Sequence, residues 1–136
     1  MKINNYLMFN GNCEAAFKYY ERCLGGKITM MLDHGAAPSA EHIPADWHDK
    51  IMHARLEIGD CVIMASDSPP EYFQPTQGFY VQLEIENPAE AERIFRELSE
   101  NGIVKMPFEQ TFWAYRFGML VDQFGIPWMV NCEKEA

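Results

Sequence analysis

One order of apolar runs and caps occurs twice along this chain. Residues 3–9 are dense in apolar side chains and are stopped by Asn10-Gly11-Asn12, as a strand would be. Asn12 is placed to cap a helix, with Glu14 in the first turn where the helix dipole favours an acid. Cys13, Ala16, Phe17, Tyr20 and Leu24 then recur at three- and four-residue steps, one apolar stripe, and Gly25-Gly26 ends it. Strands follow at residues 27–32, 51–58 and 61–66, the last two joined by the turn Gly59-Asp60. After a proline-bearing stretch without periodicity, the order returns: a strand at 79–85, a helix from Asn87-Pro88-Ala89-Glu90 to Asn101-Gly102, and strands at 103–108, 114–122 and 127–132. The buried stripe of the second helix is Ala91, Ile94, Phe95 and Leu98. Two modules in tandem are therefore expected, one at about 1–68 and one at about 78–136, with a linker at about 69–77.

The 136 residues match the size of a single domain, and 1–136 is read as one. No apolar run is long enough to span a membrane. Met1-Lys2-Ile3-Asn4-Asn5 lacks the apolar stretch of an export signal, which makes the cytoplasm the expected compartment. With 20 acidic against 11 basic residues, a net charge of -9 argues against nucleic acid as a partner; a small anion needs only one local arginine. Cys13, Cys23, Cys61 and Cys132 form no C-x-x-C pair and are read as free thiols. Cys13 stands at a helix start, where the dipole can favour thiolate, or is a small buried apolar residue.

Four segments carry chemistry-bearing residues. Residues 33–49 hold His34, His42 and His48 in a loop of the length often used for lids or binding; Trp47 there is a lid or a surface anchor. In the strand at 51–58, Met52, Ala54, Leu56 and Ile58 face one way, and Ile51, His53, Arg55 and Glu57 the other. The strand at 79–85 likewise splits into an apolar set and Tyr80, Gln82 and Glu84. Phe112-Trp113-Ala114-Tyr115-Arg116-Phe117 mixes aromatic and basic groups; it would stack on a planar ligand with Arg116 holding an anionic group, or fill a core or interface. Trp128 is expected inside, and Asn131 on the opposite face. His53 has a reference pKa near neutrality and could act as acid or base, or be a hydrogen-bonded structural residue. His53 and Glu57 lie about 13 Å apart on an extended strand, too far to hold one ion by themselves.

These residues bring a resemblance into view. Asn10-Gly11-Asn12-Cys13-Glu14-Ala15-Ala16, with Tyr19-Tyr20 and Leu24-Gly25-Gly26, resembles the first strand–helix unit of the vicinal-oxygen-chelate (glyoxalase/bleomycin-resistance/dioxygenase) superfamily. Met52-His53-Ala54-Arg55-Leu56, Met64-Ala65-Ser66-Asp67, Thr111-Phe112-Trp113-Ala114 and the run from Asp122 to Asn131 are similar to its PhnB-like members. The resemblance implies an α+β fold of two βαβββ modules forming a curved, mixed eight-stranded sheet with helices on its convex side. It also implies a concave cavity and a homodimer.

Superfamily enzymes hold a divalent metal on the first and fourth strands of each module. Carried over, those positions fall at Asn5 and Tyr80, near Met64 or Ser66, and at Met129. None is His, Asp or Glu, and a thioether suits hard divalent ions poorly. No metal and no other cofactor is therefore expected. Binding of a small molecule is the favoured reading, through Asn5, His53, Arg55, Tyr80, Gln82, Trp113, Arg116 and Asn131. The alternative is a metal-dependent isomerase, lyase or oxygenase, with His53 and Glu57 as its candidate catalytic residues.

Overall fold

Strand β1, Asn5–Phe9, buries Leu7 and Phe9 and leaves Tyr6 and Met8 exposed, so one face of it is apolar by alternation. It starts two residues later than its apolar run suggests, since Ile3 is exposed and outside the ladder. The protein is seen here in a computed structural model, which describes residues 1–38 and 40–133. Two units make up the chain, Met1–Gln74 and Pro75–Ala136.

In the first unit β1 is followed by α1 (Cys13–Leu24), β2 (Lys27–Asp33), three short 3₁₀ turns, β3 (Ile51–Ile58) and β4 (Cys61–Asp67). The sheet order is β1-β4-β3-β2, with β1 parallel to β4 and the other pairs antiparallel. Helix α1 buries Ala16, Phe17, Tyr20 and Cys23 against the face carrying Leu7, Phe9, Ala54 and Leu56. Cys23, and not the expected Leu24, completes the stripe. Each large side chain taken from water here contributes about 1.5–3 kcal/mol. Gly26 lets the chain leave α1 close to β3: a Cβ there would stand 2.7 Å from the Glu57 carbonyl oxygen.

The expected cap of α1 differs. Asn12 makes no side-chain cap bond. The carboxylate of Asp67, at the far end of β4, accepts the N–H groups of Gly11 (2.8 Å) and Cys13 (3.0 Å) through Oδ1 and that of Ile51 (2.8 Å) through Oδ2. One buried acid thus ties the β1–α1 turn to the start of β3.

The second unit holds β5 (Val81–Glu84), α2 (Pro88–Ser99), β6 (Ile103–Glu109), β7 (Arg116–Val121) and β8 (Pro127–Cys132), in sheet order β5-β8-β7-β6 with β5 parallel to β8. Here the cap is the expected one, Asn87 Oδ1 accepting from Glu90 N at 3.0 Å. The Glu90 carboxylate pairs with Arg93 instead of reaching back to Asn87. Ala91, Ile94, Phe95 and Leu98 are buried, as are Val81, Leu120, Trp128 and Val130 on the sheet. Gly118 makes room for α2: a Cβ would lie 2.5 Å from Phe95. Phe79 and Tyr80 precede β5, and Ala114 and Tyr115 precede β7, so both strands are shorter than their apolar density suggests.

Each unit is thus a βαβββ module with a four-stranded mixed sheet. Strand pairing gives two ladders of four and no continuous ladder of eight, which corrects the expectation of one eight-stranded sheet. Parallel β1–β4 and β5–β8 pairing closes each module's own order, and no described pair joins a strand of one module to a strand of the other.

Candidate functional site

The face of each sheet turned away from its helix collects the polar and thioether side chains. In the first unit the register runs Tyr6, Met64, Arg55, Met30 straight across β1, β4, β3 and β2. Residues directly opposite share a face, so these four stand in a row. Beside them Met8 pairs with Ser66 and Leu32 with His53. The Tyr6 hydroxyl and His53 Nδ1 are 3.0 Å apart, and their rings stack with centroids 5.7 Å apart and an interplanar angle of 27°. The Ser66 hydroxyl donates to Met8 Sδ at 3.5 Å. Tyr6, Met8, Met30 and Leu32 remain exposed.

Arg55 Nε donates to Glu57 at 3.3 Å. The Thr29 hydroxyl first, and Arg55 second, hold the Glu57 carboxyl below the usual carboxylate value. His53 is therefore joined to Tyr6 and Glu57 to Thr29 and Arg55; the two expected acid/base candidates are not joined to each other.

The second unit repeats the arrangement. Gln82, Met129, Met119 and Met106 form a row across β5, β8, β7 and β6, and Glu84, Asn131, Phe117 and Glu109 form the next. Asn131 Nδ2 donates to both Glu84 oxygens, at 3.2 and 2.9 Å, and Gln82 Nε2 to Glu84 Oε1 at 2.5 Å. Asn131 is buried, and its Oδ1 meets no donor among the described residues. Tyr80 is half-buried just ahead of β5.

The histidine-bearing segment is tied down by its histidines. His34 Nε2 donates to the Asp67 carbonyl at 3.0 Å, and His48 Nε2 to the carbonyls of Ala40 and Ile43, both at 2.9 Å. Trp47 leans on the β1–α1 turn, its Cη2 3.4 Å from where a Cβ of Gly11 would be. His42 is exposed beside Glu41. Cys13 is fully buried; burial, then Asp67, then Glu14 push its thiol up, against any thiolate role. In the aromatic run, Phe112 and Trp113 are exposed, neither filling a core, and Arg116 sits 4.2 Å over the Tyr115 ring.

Comparison with known proteins places this geometry. A family model described as 3-demethylubiquinone-9 3-methyltransferase matches residues 1–131. Protein YjdN of Escherichia coli is 36% identical over 143 residues, covering 99% of this chain and 97% of its own. The chain is a PhnB/YjdN-like member of the vicinal-oxygen-chelate superfamily. The crystal structure of PA1353 from Pseudomonas aeruginosa shares 49% identity with it, over 99% of both chains, at a TM-score of 0.91. A PhnB protein from Bacillus cereus, 24% identical over 97% of this chain and 99% of its own, shares the fold at a TM-score of 0.81.

The superfamily's divalent metal finds an unsuitable donor set in this PhnB/YjdN-like chain. Asn5 alternates with Leu7 and Phe9 and pairs with Ile63, so it belongs to the helix-covered side, and the inward orientation expected for it is corrected. Met64 and Met129 offer thioethers, which suit soft ions. The Ser66 hydroxyl is turned to Met8. Among the described residues no group of three or more His, Cys, Asp or Glu could hold a metal ion.

Sequence reasoning passed over Tyr6, Met8, Met30, Met106 and Met119. The signal was available in the alternation of Tyr6 and Met8 against Leu7 and Phe9. The methionines needed the pairing register, which no local pattern supplies.

Proposed function

We propose that this chain binds a small planar molecule on the helix-free faces of its sheets, without the superfamily's usual metal. The observation that carries this reading is the methionine lining. Six of the nine methionines, Met8, Met30, Met64, Met106, Met119 and Met129, stand on those faces. Thioethers are polarizable, adapt their shape, and make favourable contacts with aromatic rings. In the first unit Tyr6 and His53 add a hydroxyl and an imidazole, and Arg55 a positive charge; in the second Gln82 and Asn131 add amides, with Tyr80 just ahead of β5. Arg116 is left out because its guanidinium is engaged at Tyr115. With this reading go the single domain that the chain's length suggests for residues 1–136, the homodimer that the family resemblance implies, and the cytoplasm as its compartment.

A second reading, an acid–base enzyme, has one observation in its favour, the Tyr6–His53 hydrogen bond. Its other candidate, Glu57, is tied to Thr29 and Arg55 and held as carboxylate, which suits it poorly to exchange protons near neutrality. Methyl transfer, named in the family's description, is not adopted: the sequence has no glycine-rich strand-to-helix turn of the G-x-G-x-x-G kind that grips nucleotide cofactors.

The test uses an aromatic anion, anilinonaphthalene sulfonate, titrated by fluorescence, with metal content measured on protein purified without chelator. Saturable binding, weakened about tenfold by His53→Ala through loss of one polar contact, supports the reading. A stoichiometric divalent ion, or binding indifferent to His53→Ala and Met64→Ala, overturns it.

A further inference from the structure

We infer that the second unit also carries a site for a small organic cation, where the end of β8 meets the segment leading into β7. Two cavities adjoin there. One, of about 300 Å³, is walled by Phe112, Trp113 and Tyr115 and bordered by Glu133. The other, of about 170 Å³, is lined by Glu84, Ile85, Glu86 and Glu133. Glu133 borders both, so its carboxylate stands between an aromatic hollow and an acidic one. Aromatic faces beside carboxylates recognise ammonium groups, through the ring quadrupole on one side and charge on the other.

Three observations make this more than an acidic patch. The aromatic walls are exposed at a cost in hydration, Phe112 at 96% and Trp113 at 49%, yet they are held in place. Thr111 Oγ1 accepts from Ala114 N at 3.0 Å, Thr111 N donates to the Ala114 carbonyl at 3.1 Å, and Trp113 packs edge-on against Phe117 with centroids 5.4 Å apart. A wall already ordered loses little freedom on binding.

Acceptors are also in excess. Glu86 and Glu133 meet no cationic side chain among the described residues, and Glu84 is bonded only by the amides of Gln82 and Asn131. Finally, the chain itself places a cation on one of these rings, Arg116 over Tyr115, leaving Phe112 and Trp113 open. The site favours an organic cation over a metal ion because Phe112, Trp113 and Tyr115 contribute ring faces to one of its two hollows. The Tyr6–His53 pair belongs to the first unit and this site to the second, so each is tested by its own substitutions.

The full chain is titrated with benzyltrimethylammonium, benzyl alcohol and phenylmethanesulfonate while the Trp113 indole N–H is followed by NMR, assigned through Trp113→Phe. The cation is expected to move that resonance saturably, and the neutral and anionic probes not to. Glu133→Gln is expected to weaken the cation about tenfold, as loss of one partly screened charge contact would, and added salt to weaken it further. Binding of anilinonaphthalene sulfonate by Glu133→Gln, measured in parallel, is expected to persist, which shows both an intact fold and an independent site. No saturation with the cation, equal effects of all three probes, or indifference to both Glu133→Gln and Glu86→Gln overturns the inference.

Discussion

Asp67 does at one position what a cap, a turn and a staple do elsewhere. Its two oxygens accept three backbone N–H groups from Gly11, Cys13 and Ile51, inside the protein where water cannot replace them. Asp67→Asn puts an NH₂ group against at least one of those donors, so a buried N–H loses its acceptor. A hydrogen bond to a charged group contributes about 1.5–3 kcal/mol, and the expected loss is about 2–4 kcal/mol. Urea unfolding of the variant measures it; an unchanged midpoint contradicts this role. His34 bonds to the Asp67 carbonyl, not its carboxylate, so the histidine-bearing segment should stay attached.

Glu57 gives the pH counterpart. Its carboxyl is held low by Thr29 and then Arg55, so its folded value lies below its unfolded one. Whatever stabilisation it contributes is present above the ordinary carboxylate value and is lost as the pH falls through the lowered one. An NMR titration of the Glu57 carboxyl should show a depressed midpoint that rises in Thr29→Val and, by a smaller step, in Arg55→Gln.

At the scale of elements, the two helices separate local from distant information. Asn87 caps α2 by bonding to Glu90 N, three residues on, and this was legible from Asn87-Pro88-Ala89-Glu90 alone. Asn12 has the same residue type in the same place before α1 and makes no such bond: its backbone, φ -114° and ψ 22°, lies outside the extended region that a capping side chain uses, and Asp67 holds the neighbouring N–H groups of Gly11 and Cys13. Asn87→Ala is therefore expected to cost about 1 kcal/mol, the usual worth of a side-chain cap, while Asn12→Ala costs clearly less. Equal losses in thermal or urea unfolding would overturn the distinction. The same contrast explains how far the site could be read. The facing of His53, Arg55 and Glu57 follows from period-two alternation within one strand, and the structure keeps it. The rows that join Tyr6 to Arg55 across Met64, or Gln82 to Met106 across Met129 and Met119, depend on register between distant strands. Asn5 was placed by carrying over a position of the superfamily, whereas the parity of its strand is fixed by Leu7 and Phe9.

For the chain as a whole, what closes each module is an apolar helix–sheet core with buried carboxylates at its turns. Asp122 does for the second module what Asp67 does for the first, accepting Phe124 N, Ile126 N and the Trp128 indole N–H at 2.8–3.0 Å. Cys13, Cys23, Cys61 and Cys132 are all thiols outside any disulfide, three of them buried. The donor set at the superfamily's metal positions is thioether, hydroxyl and amide, with no carboxylate or imidazole to supply the charge or strong donor that the superfamily's ion uses. A structural metal would contribute about 10–16 kcal/mol to folding and a disulfide about 2–4 kcal/mol, so removing either would lower the melting temperature by many degrees. Chelator and reductant together should therefore leave the thermal midpoint of the full chain where it is. A fall on adding chelator alone would mean that an ion holds the fold through residues other than those the superfamily uses, and the case for ion-free binding on the methionine-lined faces would have to be given up.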